Sequence, residues 1–272
     1  MSGRTEWVRL YYDEHLTSSK IRRVKDLVDE TILLPHEAMR GKIRELREVM
    51  TKVVMCQKWR TDLFYRWFRS CLGPFMEKAL TLEIHLIQRL DKRGSRPLGQ
   101  KEGEIAEELF ETYKECMELI DEVYDCHRWF KETKQMSKNP TRRLDALIRD
   151  VGGAVDNLTK RLEEHLARVE EVIPAMTRRK FGYRNGYEKA VEEYVQGIKL
   201  ADAAVLLPSL LEAADKWMTD EGKKKGALGK ITQCTAWLNT NFWQNNYSHR
   251  NKTMLDDLRG DVPPACFRYG CC

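Results

Sequence analysis

The sequence predicts an all-α protein in which four long amphipathic helices are followed by shorter C-terminal ones. Three observations carry this. Apolar residues recur every third or fourth position along most of the chain, which is the spacing of one helical face. No stretch alternates apolar and polar residues as a half-buried strand does. Turn-forming stretches at 93–99 and 139–141 fall between the periodic segments, where glycine and proline end helices.

Residues 1–32 read as a polar N-terminal extension with an aromatic start at Trp7, Tyr11 and Tyr12. A first helix is predicted over about 35–54, because His36, Met39, Ile43, Leu46, Met50 and Val53 share one face. Pro35 suits its first turn, where a missing N–H costs little. A second helix covers about 57–92, with Phe64, Trp67, Phe68, Cys71, Phe75, Ala79, Leu82, Glu83 and Leu86 on one face. Gly73-Pro74 should kink or interrupt it, since proline removes an internal hydrogen bond. A third helix, about 102–135, turns Ile105, Leu109, Tyr113, Cys116, Ile120 and Val123 inward.

The fourth helix, about 141–178, has the cleanest stripe, from Leu144 and Leu147 through Leu158 and Leu162 to His165, Val169 and Val172. Gly152-Gly153 inside it suggests a bend or a close helix contact. Two further helices, at about 185–198 and 203–219, complete a helical region spanning 33–219. Residues 220–272 form a packed C-terminal extension, aromatic at Trp237, Phe242, Trp243 and Tyr247, that ends in a flexible cysteine-containing tail.

Composition narrows the class. The chain has 272 residues, 42% apolar and 33% charged, with a mean hydropathy of −0.59. That suits a soluble helical protein with long solvated faces. The net charge of +5 is spread over both signs. Short basic runs at 20–23, 178–180 and 223–225 read as solvated helix ends, which argues against a nucleic-acid interface. No apolar run approaches the roughly 20 residues of a membrane span, and the N-terminus has no signal-peptide core. None of the eight cysteines forms a C-x-x-C pair. Together these features predict a reducing, cytoplasmic location.

Two segments carry chemistry. Residues 34–40 and 165–174 each place a histidine, His36 and His165, on the inward face of a long helix. Both resemble ligand segments of hemerythrin-like (HHE cation-binding) domains. Residues 72–83 resemble the family's H-H-x-x-E-E segment, with Glu83 kept and Ala79 and Leu80 in the histidine places. Residues 112–115 resemble the third-helix segment, with Tyr113 in the histidine place. In 165–174 His165 is kept, while Val169 replaces the ligand carboxylate. Segments 178–182, 187–190 and 206–213 resemble the appended helices of extended members, including their L-P-x-x-L motif. The resemblance implies a hemerythrin-like up-and-down four-helix bundle with additional C-terminal helices.

It also implies a count of metal donors. A di-iron bundle needs about six or seven oxygen and nitrogen ligands from four helices. Ala79/Glu83 and His165/Val169 share faces at i, i+4, and each pair has lost one member. Glu170 lies about 140° around the helix from His165, and His85 points away from Glu83, so neither is expected to substitute. The remaining inward donors are His36, Glu83, Tyr113 and His165. They could hold a single iron or zinc ion. Alternatively they satisfy one another as a buried hydrogen-bonded network with no cofactor. The expected function is that of a non-catalytic interaction or structural protein with a protein partner. A metal-binding role in oxygen or iron sensing or storage is the alternative.

Three other signals complete the reading. The basic, aromatic segment 58–69 fits helical spacing and reads as core, not as a membrane-surface helix. Cys126-His127 reads as a surface pair near a helix end. The terminal Cys271-Cys272, with Cys266, offers lipidation sites that would hold the protein on a membrane surface; free thiols are the other reading.

Overall fold

The computed structural model describes residues 27–54, 58–93, 100–136, 141–181, 186–217, 223 and 227–260. Among these, the chain is all-helical apart from short turns. Helix α1 spans Leu27–Val54, α2 Lys58–Trp67, α3 Gly73–Arg93, α4 Gln100–Met136 and α5 Thr141–Phe181. Helices α6 (Gly186–Gln196) and α7 (Leu200–Trp217) follow, then a 3₁₀ turn at Ala227–Lys230. The last described elements are α8 (Gln233–Leu238), α9 (Gln244–Tyr247) and α10 (Thr253–Arg259), joined through π-helical turns.

Cross-helix ion pairs fix the directions. Arg161 pairs with Glu115, Arg168 with Glu108 and Arg179 with Glu102, so numbers rise on α5 as they fall on α4. Arg40 meets Glu170 and Arg47 meets Glu163, which makes α1 antiparallel to α5 as well. Tyr65 packs on Phe130 and Phe68 on Tyr124, which runs α2–α3 against α4. The four long segments therefore alternate in direction around shared apolar faces.

The predicted stripes are the buried ones. Met39, Ile43, Leu46, Met50 and Val53 are buried on α1, as are Val151, Val155, Leu158, Leu162 and Val169 on α5. Leu63, Phe64, Trp67, Phe68 and Leu72 are buried too, so the basic aromatic segment is core. Its arginines Arg66 and Arg69 stay exposed. The interior divides into two apolar clusters. The larger runs from Leu34 to Val53 on α1 and includes Leu80, Cys116 and Leu166. The smaller holds Val28 and Ile32 with Ile84, Leu109 and Ile173. Polar side chains of α1, α3, α4 and α5 lie where the two clusters meet.

Several expectations need correction. Helix α1 already includes residues 27–34, and Pro35 sits in its interior. Proline there cannot donate to the carbonyl one turn back, but Val28 and Ile32 prolong the apolar stripe and are buried. Gly73-Pro74 interrupts the second helix as expected, but through a widened turn and not a stop. A π turn, Phe68–Leu72, absorbs the missing donor, and Gly73 N–H bonds to Phe68 O. Such widened turns are a recognised way to carry proline. Gly73 also lies under Tyr124, where an added Cβ would come within 2.9 Å of Cζ. Gly153 behaves otherwise: α5 runs on unbroken and nothing lies within 4 Å of a Cβ placed there. Cys126-His127 is no helix-end surface pair. Cys126 is buried inside α4, and the His127 ring stacks on Tyr65 at 4.6 Å.

The C-terminal extension is tied to the body. Leu255 and Leu258 join the larger cluster. Trp67 Nε1 donates to buried Asn251 Oδ1 at 2.7 Å, and Arg259 grips Glu48 with two hydrogen bonds. Cys266, Cys271 and Cys272 lie outside the described residues. No helix among the described residues is long and apolar enough to cross a membrane.

Candidate functional site

The polar layer between the two clusters is a hydrogen-bonded chain that crosses four helices. Glu83 on α3 is its centre. One carboxylate oxygen, Oε2, accepts from His36 Nε2 of α1 at 2.7 Å. The other, Oε1, accepts from His165 Nε2 of α5, also at 2.7 Å. His36 Nδ1 then donates to Glu170 Oε1 at 2.8 Å. Glu170 is held in turn by Arg40, whose Nη2 donates to Oε2 at 2.9 Å. At the far end His165 Nδ1 lies 2.8 Å from Thr112 Oγ1 of α4. That hydroxyl also reaches the Leu109 carbonyl at 3.0 Å. A hydroxyl can donate or accept, so the His165 ring is satisfied in either protonation state.

Helical spacing explains why these side chains meet. His36 and Arg40 are one turn apart and share a face. That face opposes α5, which supplies Glu170 to both. His165 and Glu170 are five residues apart, so they leave α5 in different directions. His165 turns to Glu83 and Glu170 to α1.

Burial sets the electrostatics. His36 and His165 are almost fully buried, at 2% and 1% exposure. Burial opposes a charged His36. The hydrogen bonds and charges of Glu170 and Glu83 outweigh it and raise its pKa to about 9. Burial likewise opposes the Glu83 carboxylate, but His165 and His36 hold its pKa down at about 2. Glu170 sits at about 2, with burial overcome by His36 and Arg40. At neutral pH the centre is therefore a buried imidazolium clamped between two carboxylates.

This geometry tests a metal centre. Glu83 and Glu170 lie on opposite edges of the His36 ring, so the imidazole separates them and one ion cannot take both. His36 Nε2 and His165 Nε2 each take a separate oxygen of the Glu83 carboxylate, which bridges the two rings. Tyr113 does not join them. It packs against both apolar clusters and stacks on Phe110, with ring centroids 6.0 Å apart, while Thr112 is the α4 residue that bonds to the layer. Ala79 and Val169 are buried as ordinary core. These three side chains fall short of the six or seven donors of a di-iron site, so the residues do not fit that group. Among the described residues, no cluster of three or more His, Cys, Asp or Glu is arranged to hold a metal ion.

Of the four donors expected from sequence, the structure brings His36, Glu83 and His165 together and leaves Tyr113 out. Three participants were missed: Glu170, Arg40 and Thr112. Glu170 leaves α5 in a different direction from His165, as its spacing predicts, and its partner is on α1. The signal was present in His36 and Arg40, two potential cations on one face that call for an acid opposite. His85 is exposed, as expected. No protein-family model, curated protein or solved structure matches the chain.

Proposed function

We propose that this chain is a hemerythrin-like up-and-down four-helix bundle in which a hydrogen-bonded network stands in place of the di-iron centre. It serves as a non-catalytic interaction or structural protein. The observation that supports this most is Glu83 bridging His36 and His165 at 2.7 Å each, with Glu170 on the far edge of the His36 ring. Every nitrogen that would bind metal already has a hydrogen-bond partner, and a fully satisfied buried network is stable without an ion. A protein partner has an available surface in Trp237 and Phe242. They are exposed and pair edge to face at 5.5 Å, and aromatic residues are enriched at interfaces. Lipidation at Cys266, Cys271 and Cys272 would add attachment to a membrane surface. Hydroxylamine-sensitive acyl groups on those cysteines would establish it.

A second reading has support of its own. His36, Glu83 and His165 make up a two-histidine, one-carboxylate set, a composition that binds single iron or zinc ions. Such an ion would have to displace the proton that His36 holds up to about pH 9. Plasma mass spectrometry on protein purified without chelator or nickel decides between the readings. Folded protein without stoichiometric metal, and with unfolding unaffected by chelator, is the expected result. About one equivalent of iron or zinc, lost in His165→Ala, would establish the second reading and remove the first.

A further inference from the structure

Beside the polar layer, a cavity of about 80 Å³ opens between α1, α3, α6, α7 and the 3₁₀ turn. By this measure one water needs roughly 10–15 Å³, so the space takes about six water-sized groups. Its wall is almost wholly apolar, and the small side chain of Ala79 leaves room at its floor. The polar groups of Thr31, His36 and Glu83 at its edge are committed elsewhere, to Tyr187 and to one another.

One residue breaks the pattern. Glu30 lines the cavity and is 6% exposed. Its Oε1 accepts from Ala227 N–H at 2.8 Å. Among the described residues, the second oxygen has no partner and no cation pairs with the carboxylate. The second oxygen is open to the cavity that Glu30 lines, and burial of the residue raises the Glu30 pKa, against the bond from Ala227.

We propose that this cavity binds a small apolar primary amine, with its chain against Leu86, Leu207 and Leu210 and its ammonium on the free oxygen of Glu30. An ammonium supplies the two things this carboxylate lacks, a donor and a counter-charge. An alcohol supplies only the donor, and an anionic ligand would be repelled. Apolar walls with one placed polar group are the usual make-up of a small-molecule site. The inference does not depend on whether the polar layer holds a metal.

Calorimetric titration of the full chain near neutral pH with n-hexylamine, hexan-1-ol and hexanoate tests it. Hexylamine should bind one to one, at least about tenfold more tightly than the alcohol or the acid, the margin expected of a charge-assisted bond. Glu30→Gln keeps an acceptor for Ala227 and should reduce hexylamine to the level of hexanol. Ala79→Leu narrows the cavity and should weaken both. No saturable hexylamine binding, equal binding of hexanol, or full hexylamine affinity in Glu30→Gln would each overturn the proposal. The comparison of the three probes on the unaltered protein needs no variant to fold.

Discussion

Glu83→Gln is the substitution to which the polar layer should be most sensitive. The amide keeps the size of the carboxylate and one acceptor oxygen. Its NH₂ group can face His165, whose ring then carries its proton on Nδ1 toward Thr112 and accepts at Nε2, so the hydrogen bonds survive and the loss falls on the charge. The negative charge that helps hold the His36 proton is gone. The scale follows from the native His36, which moves from 6.5 to about 9. At about 1.4 kcal/mol per tenfold, that is about 3 kcal/mol shared between Glu83 and Glu170. Removing one partner of a buried pair costs about 3–5 kcal/mol, because the other is left uncompensated. The pH dependence has a definite sign. The folded His36 pKa is raised, so its contribution is complete below 6.5 and is lost as pH rises from 6.5 through about 9. Glu83 is lowered to about 2, so its contribution is complete above 4.5 and is lost as pH falls through about 2. Urea unfolding of the native protein should therefore weaken steadily between pH 6.5 and 9, and the Glu83→Gln variant should show a smaller slope there. An NMR titration of His36 should find its pKa lowered in the variant. A loss below about 1 kcal/mol, within the range of an exposed pair, or a native stability flat from pH 6.5 to 9, would refute the buried-network account.

Four further outcomes are expected. His127 is lowered to about 4 by burial first, then by Lys131 and Arg69; its contribution is present above 6.5 and lost as pH falls toward 4, so His127→Phe, which keeps a ring on Tyr65, should flatten the urea midpoint over that window. Gly153→Ala should stabilise by about 0.5–1 kcal/mol, because α5 leaves open space there. Gly73→Ala should instead cost about 1–3 kcal/mol, because its Cβ meets Tyr124; thermal unfolding of the pair gives opposite signs. Asn251→Ala should cost about 1–3 kcal/mol by orphaning the buried Trp67 N–H, and a value near zero would detach the C-terminal segment from the core.

The helices were legible because burial on this scale leaves a period in the sequence. The stripe His36–Val53 and the stripe through Val151, Leu158 and His165 name the residues that are in fact buried. Local punctuation was read less well. Pro35, Gly73-Pro74 and Gly153 are strong stop signals in isolation, yet packing of Val28 and Ile32, a π turn and an exposed helix surface accommodate them. The site was half legible for a related reason. Periodicity tells which face of a helix looks inward, and so found His36, Glu83 and His165. It does not tell which neighbouring helix that face meets, and so missed Glu170 reaching α1. Tyr113 and Thr112 are adjacent, about 100° apart on the helix, and the choice between them needs the rotation of α4 to better than one residue.

That sensitivity bears on why a polar layer persists in an otherwise apolar interior. Replacing buried ion pairs by apolar groups often leaves stability unchanged or improved, so net stability is a weak reason to keep this one. Its bonds are distributed differently from those of a local pair. Glu83 ties α3 to α1 and α5, Glu170 ties α5 to α1, and Thr112 ties α4 to α5. The apolar clusters on either side consist largely of Leu, Ile, Val and Met, side chains that tolerate repacking when volume is kept. A slip of one residue in any helix moves a side chain by about 1.5 Å and turns it by about 100°. Leucine contacts partly survive such a slip. Hydrogen bonds of 2.7–2.8 Å do not, and a buried imidazolium without its carboxylates is strongly disfavoured. The layer thus fixes the mutual register of four long helices at one level. A scaffold whose outer faces must stay aligned needs that property, with or without a metal.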